Sequence, residues 1–290
     1  PCPHYDGMLS YQHEYHAGNH ADALKHAVLA CALGALTRKP APLRVLDGFA
    51  GSGRYDLFGP EASRHAEYKG GIARLLAVAD RGGGTPAALD PYLAAVRALN
   101  PDGRLRLYPG SPALALALLR PEDSVELLEQ HPRALRALRA AVRGDRRAHV
   151  HARDAYEGLP ALVPPKERRG LVLLDPSYEV KDEFKRIPAL LAACHQRWAT
   201  GVYAIWYPLI RDPLAERFVN RVLATGIRRI YQVEVAVGPK RAQGLWGSGM
   251  LLVNPPFGLD EVLGPVAGAL HAALADEGAA LPLARWLVPE

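Results

Sequence analysis

Short apolar segments alternate with helical stretches along most of the chain. The segments that predict strands cover residues 43–49, 124–128, 149–152, 170–174, 201–206, 229–237 and 248–253. Several are continuous runs of hydrophobic residues, which is typical of strands that are buried on both faces of a parallel sheet. The helical stretches between them have the length of crossover connections. The pattern therefore predicts an α/β fold with a mostly parallel, seven-stranded sheet.

The segment over residues 170–174 has the clearest pattern, because Leu171 to Leu174 are hydrophobic without interruption. It is followed directly by Asp175-Pro176-Ser177-Tyr178. In open α/β sheets the chemistry takes place just beyond the carboxyl ends of the strands. We therefore interpret this tetrad as a candidate site. The alternative is a turn after the strand, with Tyr178 covering the core.

A glycine-rich turn follows the first predicted strand, over Phe49-Ala-Gly51-Ser-Gly53. This order is the opening of a nucleotide-binding, Rossmann-like fold, since glycines let the backbone approach a bulky ligand. It is not a dinucleotide fingerprint, because Asp56 stands where the third glycine belongs, and no P-loop lysine follows. The Phe-x-Gly-x-Gly form resembles the S-adenosylmethionine loop of amino-group methyltransferases.

Further candidates lie at the ends of later strands. Glu129 follows the second strand, where an acidic residue commonly binds ribose hydroxyls, although a surface glutamate is the alternative. Asp154 and Ala155 end the third strand, where an adenine ring would lie, and Asp154 could also cap the next helix. Ser111 occupies a position that predicts a helix N-cap.

The N-terminal part contains a helix that Asn19 is expected to cap and that ends near Leu36. His16 and His20 have the i, i+4 spacing of a metal pair, but no third ligand with suitable spacing is evident. Capping and surface roles are therefore favoured for these histidines. Lys25 and His26 could instead face a ligand pocket.

Two helical stretches, residues 61–79 and 88–99, separate the first two strands. A simple βαβ unit needs only one helix, so we predict an inserted helical subdomain over residues 55–106.

Composition narrows the possible partners only slightly. The net charge is +5 and the pI is about 9.1, mostly from arginine, which pairs well with phosphate. A GC-rich genome would produce the same excess on an ordinary solvated surface. The three cysteines are far apart and form no CxxC motif, which indicates a reducing, cytoplasmic setting. No apolar run approaches the roughly 20 residues of a membrane span.

A second tetrad, Asn254-Pro-Pro-Phe257, also has the letters of an amino-methyltransferase site. It follows the last predicted strand, whereas a catalytic tetrad is expected beside the strand of the glycine loop. Chain order therefore favours Asp175.

Five motifs carry a resemblance that covers nearly the whole chain. They are LSYxHxxHAGNHADxLKH at residues 9–26, DxxAGxGRY at 47–55, YPGSP at 108–112, RRGLxLxDPxY at 168–178 and WxVPE at 286–290. Together they resemble the bacterial 23S ribosomal RNA adenine-N6 methyltransferases, which have a helical insertion in a class I methyltransferase fold. The resemblance implies S-adenosylmethionine as cofactor and 23S ribosomal RNA as partner.

The resemblance also implies roles for individual residues. The cofactor pocket would include Lys25, His26, Phe49, Gly51, Gly53, Ser111, Glu129, Asp154, Ala155 and Asp175. Asp175, Pro176 and Tyr178 would be catalytic, and Tyr11 and Tyr178 would contact the target base. The chain departs from the family at Phe49, where relatives can carry histidine, and at Ser177, where the tetrad usually has a second proline.

The tetrad alone does not separate RNA from DNA amino groups, so a DNA amino-methyltransferase and a non-catalytic RNA-binding protein are the alternatives. We expect one methyltransferase domain over residues 8–290, with residues 1–7 as an extension before Met8. We also expect a cytoplasmic monomer that requires neither a metal nor a membrane.

Overall fold

The computed structural model describes residues 15–210, 213–240 and 244–289. Tyr11 lies outside these ranges. The helices are α1 His20–Thr37, α2 Pro60–His65, α3 Ile72–Asp80, α4 Asp90–Ala98, α5 Ser111–Leu118, α6 Pro132–Ala141, α7 Ala155–Leu162, α8 Glu183–Arg197, α9 Leu214–Leu223 and α10 Leu259–Leu274. The strands are β1 Arg44–Asp47, β2 Arg54–Asp56, β3 Leu107–Pro109, β4 Ser124–Leu128, β5 Ala148–His151, β6 Gly170–Leu174, β7 Val202–Leu209, β8 Ile230–Ala236, β9 Gly247–Val253 and β10 Leu283–Val288.

The main sheet has the order β10-β8-β9-β7-β6-β1-β4-β5. The strands from β7 to β5 in this order are parallel, whereas β9, β8 and β10 each pair antiparallel with their neighbours. This confirms the predicted mostly parallel α/β fold. The predicted number of seven strands is wrong, because the chain end adds β10 as an eighth strand beside β8. Half-buried side chains on this edge strand leave no clear hydrophobic pattern in the sequence.

The order of the strands creates a switch point beside β1. The chain first builds outward from β1 through β4 to β5, and it then returns to place β6 on the other side of β1. Ligands of open α/β sheets bind at the carboxyl ends of the strands where this reversal occurs. The glycine turn after β1, Glu129 after β4 and Asp175 after β6 therefore lie around one crevice.

Close pairing of β1 with β6 depends on Gly170. Its φ angle is 154°, and a Cβ atom at this position would lie 1.7 Å from the carbonyl oxygen of Arg44. Only glycine can therefore begin β6 against β1.

Each face of the sheet is covered by helices. The side chains of α1, α5 and α10 pack on one face, and those of α7, α8 and α9 pack on the other. Helix α1 is buried around most of its circumference, since 14 of its 18 residues are buried. The polar side chains of Lys25 and His26 are consequently inside the protein, where each needs a partner. None of the described helices meets the length and hydropathy needed for a transmembrane segment.

The region between β1 and β4 begins with β2 and ends with β3, which pair antiparallel with each other. The predicted helical stretch over residues 61–79 is helical for most of its length but is divided into α2 and α3. Ala66 adopts a left-handed conformation with φ at 48°. The backbone of Gly71 lies so close to α1 that a Cβ atom there would be 2.1 Å from the carbonyl oxygen of Gly18. The extent of the inserted subdomain stays a prediction.

Candidate active site

Two cavities meet at the switch point. The first has a volume of about 270 Å³ and is lined by the glycine turn, the end of β4 and the tetrad after β6. The second has a volume of about 230 Å³ and lies between the start of α1, Tyr178 and the end of β7. Lys25 and Asp175 line both cavities. A reaction between two ligands held in the two cavities would therefore take place beside this lysine and this aspartate.

Lys25 is held between two carboxylates. Its ammonium group lies 2.7 Å from Oδ1 of Asp22 and donates a second hydrogen bond to Oδ2 of Asp175. The exposed fractions of the three side chains are 5% for Lys25, 2% for Asp22 and 11% for Asp175. Burial alone lowers the pKa of Lys25, but the charges and hydrogen bonds of Asp175 and Asp22 outweigh it and raise the pKa well above its usual value. The lysine is therefore charged at neutral pH.

Helix α1 begins as the sequence predicts, with Asn19 as N-cap. Its side-chain oxygen accepts hydrogen bonds from the backbone N–H groups of Ala21 and Asp22. The carboxylate of Asp22 in turn accepts a 2.9 Å hydrogen bond from the N–H of Gly18, which fixes it toward Lys25.

The two histidines of the possible metal pair lie in different surroundings. Nδ1 of His16 lies 3.0 Å from a carboxylate oxygen of Glu67. Burial lowers the pKa of His20 to about 4, so this imidazole is neutral at pH 7. No group of three metal-ligating side chains occurs among the described residues.

Asp47 at the end of β1 organises the glycine turn. It accepts hydrogen bonds from the N–H of Phe49 at 3.1 Å and from Oγ of Ser111 at 2.6 Å. The predicted N-cap role of Ser111 is wrong, because its hydroxyl is directed to Asp47 and Gly110 occupies the cap position. Burial raises the pKa of Asp47 to about 6, although the two hydrogen bonds lower it.

Glu129 closes the other side of the turn. Its two carboxylate oxygens accept hydrogen bonds from the N–H of Gly51 at 2.9 Å and from the N–H of His131 at 2.7 Å. Each carboxylate oxygen can accept a further hydrogen bond. Glu129 also lines the first cavity, so it can both shape the turn and accept hydrogen bonds from the hydroxyl groups of a ligand.

His26 is oriented by two buried tyrosines. Its Nδ1 lies 2.7 Å from the hydroxyl of Tyr108, which lies 2.9 Å from the hydroxyl of Tyr92. This chain of hydrogen bonds connects a side chain of the first cavity with α4 in the inserted region. It holds the imidazole in one orientation, because all three rings are buried.

Tyr178 of the tetrad has a left-handed backbone, with φ at 55°. Its hydroxyl donates a 2.8 Å hydrogen bond to the carbonyl of Trp206, and its ring packs against Phe184 and Phe218. Ser177 lines both cavities, and its hydroxyl lies 3.4 Å from a carboxylate oxygen of Glu183. A proline at this position could not make that contact.

The predicted site residues divide into four groups by position. Those that line the first cavity are Lys25, His26, Phe49, Gly51, Ser111, Glu129 and Asp175, and Tyr178 lines the second. Four others line neither cavity. Gly53 lies against Leu138 of α6. Asp154 caps α7 by accepting a hydrogen bond from the N–H of Tyr156, and Ala155 and Pro176 are buried. Tyr11 is outside the described residues.

Tyr156 and Arg186 are among the side chains of the first cavity that the sequence reasoning missed. The guanidinium of Arg186 lies 3.6 Å above the ring centre of Tyr156, and it is 3.7 Å from the carboxylate of Asp154. Tyr156 directly follows the predicted adenine position at residues 154 and 155, which was a usable signal. Arg186 is inside α8 and is brought to the cavity only by packing.

The competing tetrad at Asn254 lies at the opposite end of the sheet. Strand β9 runs antiparallel to β7, so its last residue is beside the first residues of β7. The side-chain amide of Asn254 donates hydrogen bonds to the carbonyls of Ala199 and Gly201, which precede β7. Asn254 therefore ends a strand and is remote from both cavities.

Comparisons with known proteins agree with this arrangement. A family model described as "RsmJ: Ribosomal RNA large subunit methyltransferase D, RlmJ" matches residues 40–288. The ribosomal RNA large subunit methyltransferase J of Escherichia coli (strain K12) is 42% identical over 284 residues, which is 98% of this chain and 100% of that protein. The protein of the same name from Haemophilus influenzae is 40% identical over 285 residues, with the same coverage. A crystal structure of a Legionella pneumophila protein superposes with a TM-score of 0.86 at 31% identity, covering 93% of this chain and 98% of that one.

Proposed function

The chain belongs to the ribosomal RNA large subunit methyltransferase D, RlmJ, family, and we propose that it methylates the N6 amino group of an adenine in 23S ribosomal RNA with S-adenosylmethionine as donor. This membership confirms the family predicted from the five motifs. It also favours an enzyme acting on ribosomal RNA over a DNA methyltransferase or a non-catalytic RNA-binding protein. The observation that carries the proposed chemistry is the position of Asp175, which lines both cavities at the switch point.

The first cavity has the side chains that S-adenosylmethionine needs. Glu129 offers carboxylate oxygens to ribose hydroxyls, and the rings of Phe49 and Tyr156 offer an apolar surface to an adenine. His26, which directly follows Lys25 on α1, and Ser111 add polar groups to the lining of this cavity. When bound, S-adenosylmethionine supplies an electrophilic methyl group.

Asp175 is the group that would prepare the adenine amino group. An adenine amino group is a poor nucleophile, because its lone pair is delocalised into the ring. Lys25 occupies Oδ2 of Asp175, and no described residue donates a hydrogen bond to Oδ1. We propose that Oδ1 accepts one N–H of the amino group and that the main-chain carbonyl of Pro176 accepts the other. Pro176 itself is buried, but it lies between Asp175 and Ser177, which line both cavities. These two bonds favour a tetrahedral nitrogen whose lone pair points away from the ring.

Lys25 acts on Asp175 by position and charge. Its ammonium group fixes one carboxylate oxygen, so that the other keeps a constant direction toward the amino group. Asp175 would then take the proton that the nitrogen loses on methylation, while the carbon–sulfur bond of the donor breaks and its electron pair stays on sulfur.

The second cavity would hold the target base. It is lined by Tyr178, Trp206 and Pro208, whose flat or apolar surfaces suit an unstacked purine. The base must leave its helical stack to reach Asp175, which lines this cavity.

The experiment compares two tetrad variants. In Asp175→Ala we expect methyl transfer from labelled S-adenosylmethionine to 23S ribosomal RNA to be abolished, while calorimetry still detects cofactor binding. The matched control is Asn254→Ala, which removes the polar residue of the remote tetrad and should leave methyl transfer intact. Normal turnover by Asp175→Ala would rule out the assignment.

Three further parts of the prediction remain proposals. A ribosomal substrate supports a cytoplasmic location. We propose that the chain works as a monomer without a metal, and that residues 8–290 form one methyltransferase domain with an inserted helical subdomain. Size measurement in solution would test the monomeric state, and assays in the presence of a chelator would test whether a metal is needed.

A further inference from the structure

Helix α6 and the turn after it carry a row of exposed arginines on the outer side of the protein. They are Arg136, Arg139, Arg143 and Arg146, which we term the arginine stripe. Arg136 and Arg139 lie one turn apart on α6, which ends at Ala141, and Arg143 and Arg146 follow in the turn beyond it. Leu138 projects from the opposite side and is fully buried, and it packs against the glycine turn at Gly53.

The arginine stripe has no counter-charge within the described part of the chain. None of its four side chains makes an ion pair or a hydrogen bond with another described residue. Its neighbours differ: Arg133 pairs with Glu61 at 2.5 Å, and Arg147 pairs with Asp145 at 2.7 Å. Like charges three and four residues apart destabilise a helix. An uncompensated row is therefore a cost to the free protein that a bound polyanion would remove.

The stripe is adjacent to the proposed active site. Arg133, one turn before Arg136, lines the first cavity, and α6 begins four residues after the end of β4. At a rise of about 1.5 Å per residue, α6 extends roughly 12 Å from Arg133 to its end at Ala141, and the stripe continues into the turn beyond it. A nucleic-acid strand that delivers a base to the cavities can therefore extend its phosphates along this row.

We propose that the arginine stripe binds the phosphate backbone of the ribosomal RNA beside the target adenine. Arginine suits this partner, since its planar guanidinium donates two parallel hydrogen bonds to one phosphate. The inference rests on the proposed function for the identity of the RNA. It adds which surface of the protein the RNA occupies outside the two cavities.

The test is the salt dependence of RNA binding by a triple variant, Arg136→Gln/Arg139→Gln/Arg143→Gln. The control is Lys39→Gln/Arg81→Gln/Arg217→Gln, three exposed basic residues at scattered positions. Both variants lower the formal net charge by three, so they differ only in where the charge is lost. The probe is protein-free 23S ribosomal RNA, and its affinity is measured at several salt concentrations.

We expect the stripe variant to bind RNA about tenfold or more weakly at low salt, and its slope of log affinity against log salt to decrease by roughly 2. The control should keep the slope of the unmodified protein. The stripe variant should keep or slightly raise the melting temperature, because it removes like-charge repulsion. The control should keep the melting temperature, and both variants should keep the affinity for S-adenosylmethionine, because the substituted side chains are exposed. A lysine version of the stripe should restore most of the slope, since it restores the charge.

A stripe variant with the slope and affinity of the control would overturn the inference, and an acidic protein surface would then be the better partner for this face. The result is separable from the proposed function, because binding is measured without methyl transfer. An unmodified protein that binds through the stripe but does not methylate would refute only the proposed function. Methylation by the unmodified protein together with an unaffected stripe variant would refute only the stripe.

Discussion

The buried lysine between two carboxylates provides the sharpest quantitative prediction. In Lys25→Met the side chain keeps a similar length and loses its charge, so Asp22 and Asp175 face each other without a cation between them. We expect a large loss of stability, since removing one partner of a buried ion pair leaves an uncompensated charge. Methyl transfer should also be lost, because Asp175 is no longer fixed.

The size of the effect follows from the geometry. At the 2.7 Å separation of Nζ and the Asp22 oxygen, the attraction is about 6 kcal/mol for an effective dielectric constant of about 20. The cost of removing both ions from water offsets part of this gain. Loss of the lysine alone removes the attraction but leaves the desolvated carboxylates. We therefore expect the free energy of unfolding to decrease by roughly 3–5 kcal/mol.

Urea unfolding at pH 7 measures this difference through the transition midpoint and slope. The matched control is Lys185→Met on α8, which also lies three residues from an aspartate, at 3.9 Å from Asp182. Both of those side chains are more than half exposed, so this substitution should change the stability by less than about 1 kcal/mol.

A second substitution separates stability from catalysis. In the double variant Lys25→Met/Asp22→Asn one of the two buried charges is neutral, and part of the lost stability should return while methyl transfer does not. Our reasoning would be refuted by a Lys25→Met protein that unfolds at the same urea concentration as the unmodified one. It would also be refuted by equal losses in the lysine variant and the surface control.

Three further predictions concern the surroundings of the cavities. Tyr108→Phe removes the hydroxyl that contacts His26, so it should weaken binding of S-adenosylmethionine in calorimetry and lower the free energy of unfolding by about 1–3 kcal/mol. The control, Tyr203→Phe, removes a buried hydroxyl on the other face of the sheet, so it should lower stability without changing that affinity. Gly170→Ala should prevent the pairing of β1 with β6 and yield insoluble protein. The control, Gly34→Ala, is at an exposed helical position with free space, so it should stabilise α1 by up to about 1 kcal/mol and raise the melting temperature. The pKa of Asp47, about 6 in the folded protein against 3.8, means that the folded state binds more protons between these values, so stability decreases as pH rises through this window. An asparagine does not titrate, so the stability difference between Asp47→Asn and the unmodified protein should shift in favour of the variant by on the order of 3 kcal/mol from pH 4 to pH 6. A difference in the free energy of unfolding that does not depend on pH would contradict the raised pKa of Asp47.

The sequence alone determined the central strands, most of the helices and their order along the chain. Uninterrupted hydrophobic residues such as Leu171 to Leu174 can be satisfied only by burial on both faces, so they predict central strands regardless of context. Chain order also distinguished Asp175 from the tetrad at Asn254, which matches the usual motif more closely. Parallel strands direct their carboxyl ends to the same end of the sheet, and Asp175 follows a strand next to the glycine turn. The helix cap at Asn19 was predictable for a similar reason, since its partners are two and three residues away.

Only the tertiary structure decided which remote side chains meet. Lys25 and Asp175 are 150 residues apart, and Ser111 and Asp47 are 64 apart. A local pattern reports whether a residue is buried and which backbone it prefers, but not which strand its neighbour belongs to. The edge strand β10 and the contact of Arg186 with Tyr156 depend on packing in the same way. The fold was therefore readable from short-range pattern, whereas the ion pair that links the two cavities required the complete arrangement of the sheet.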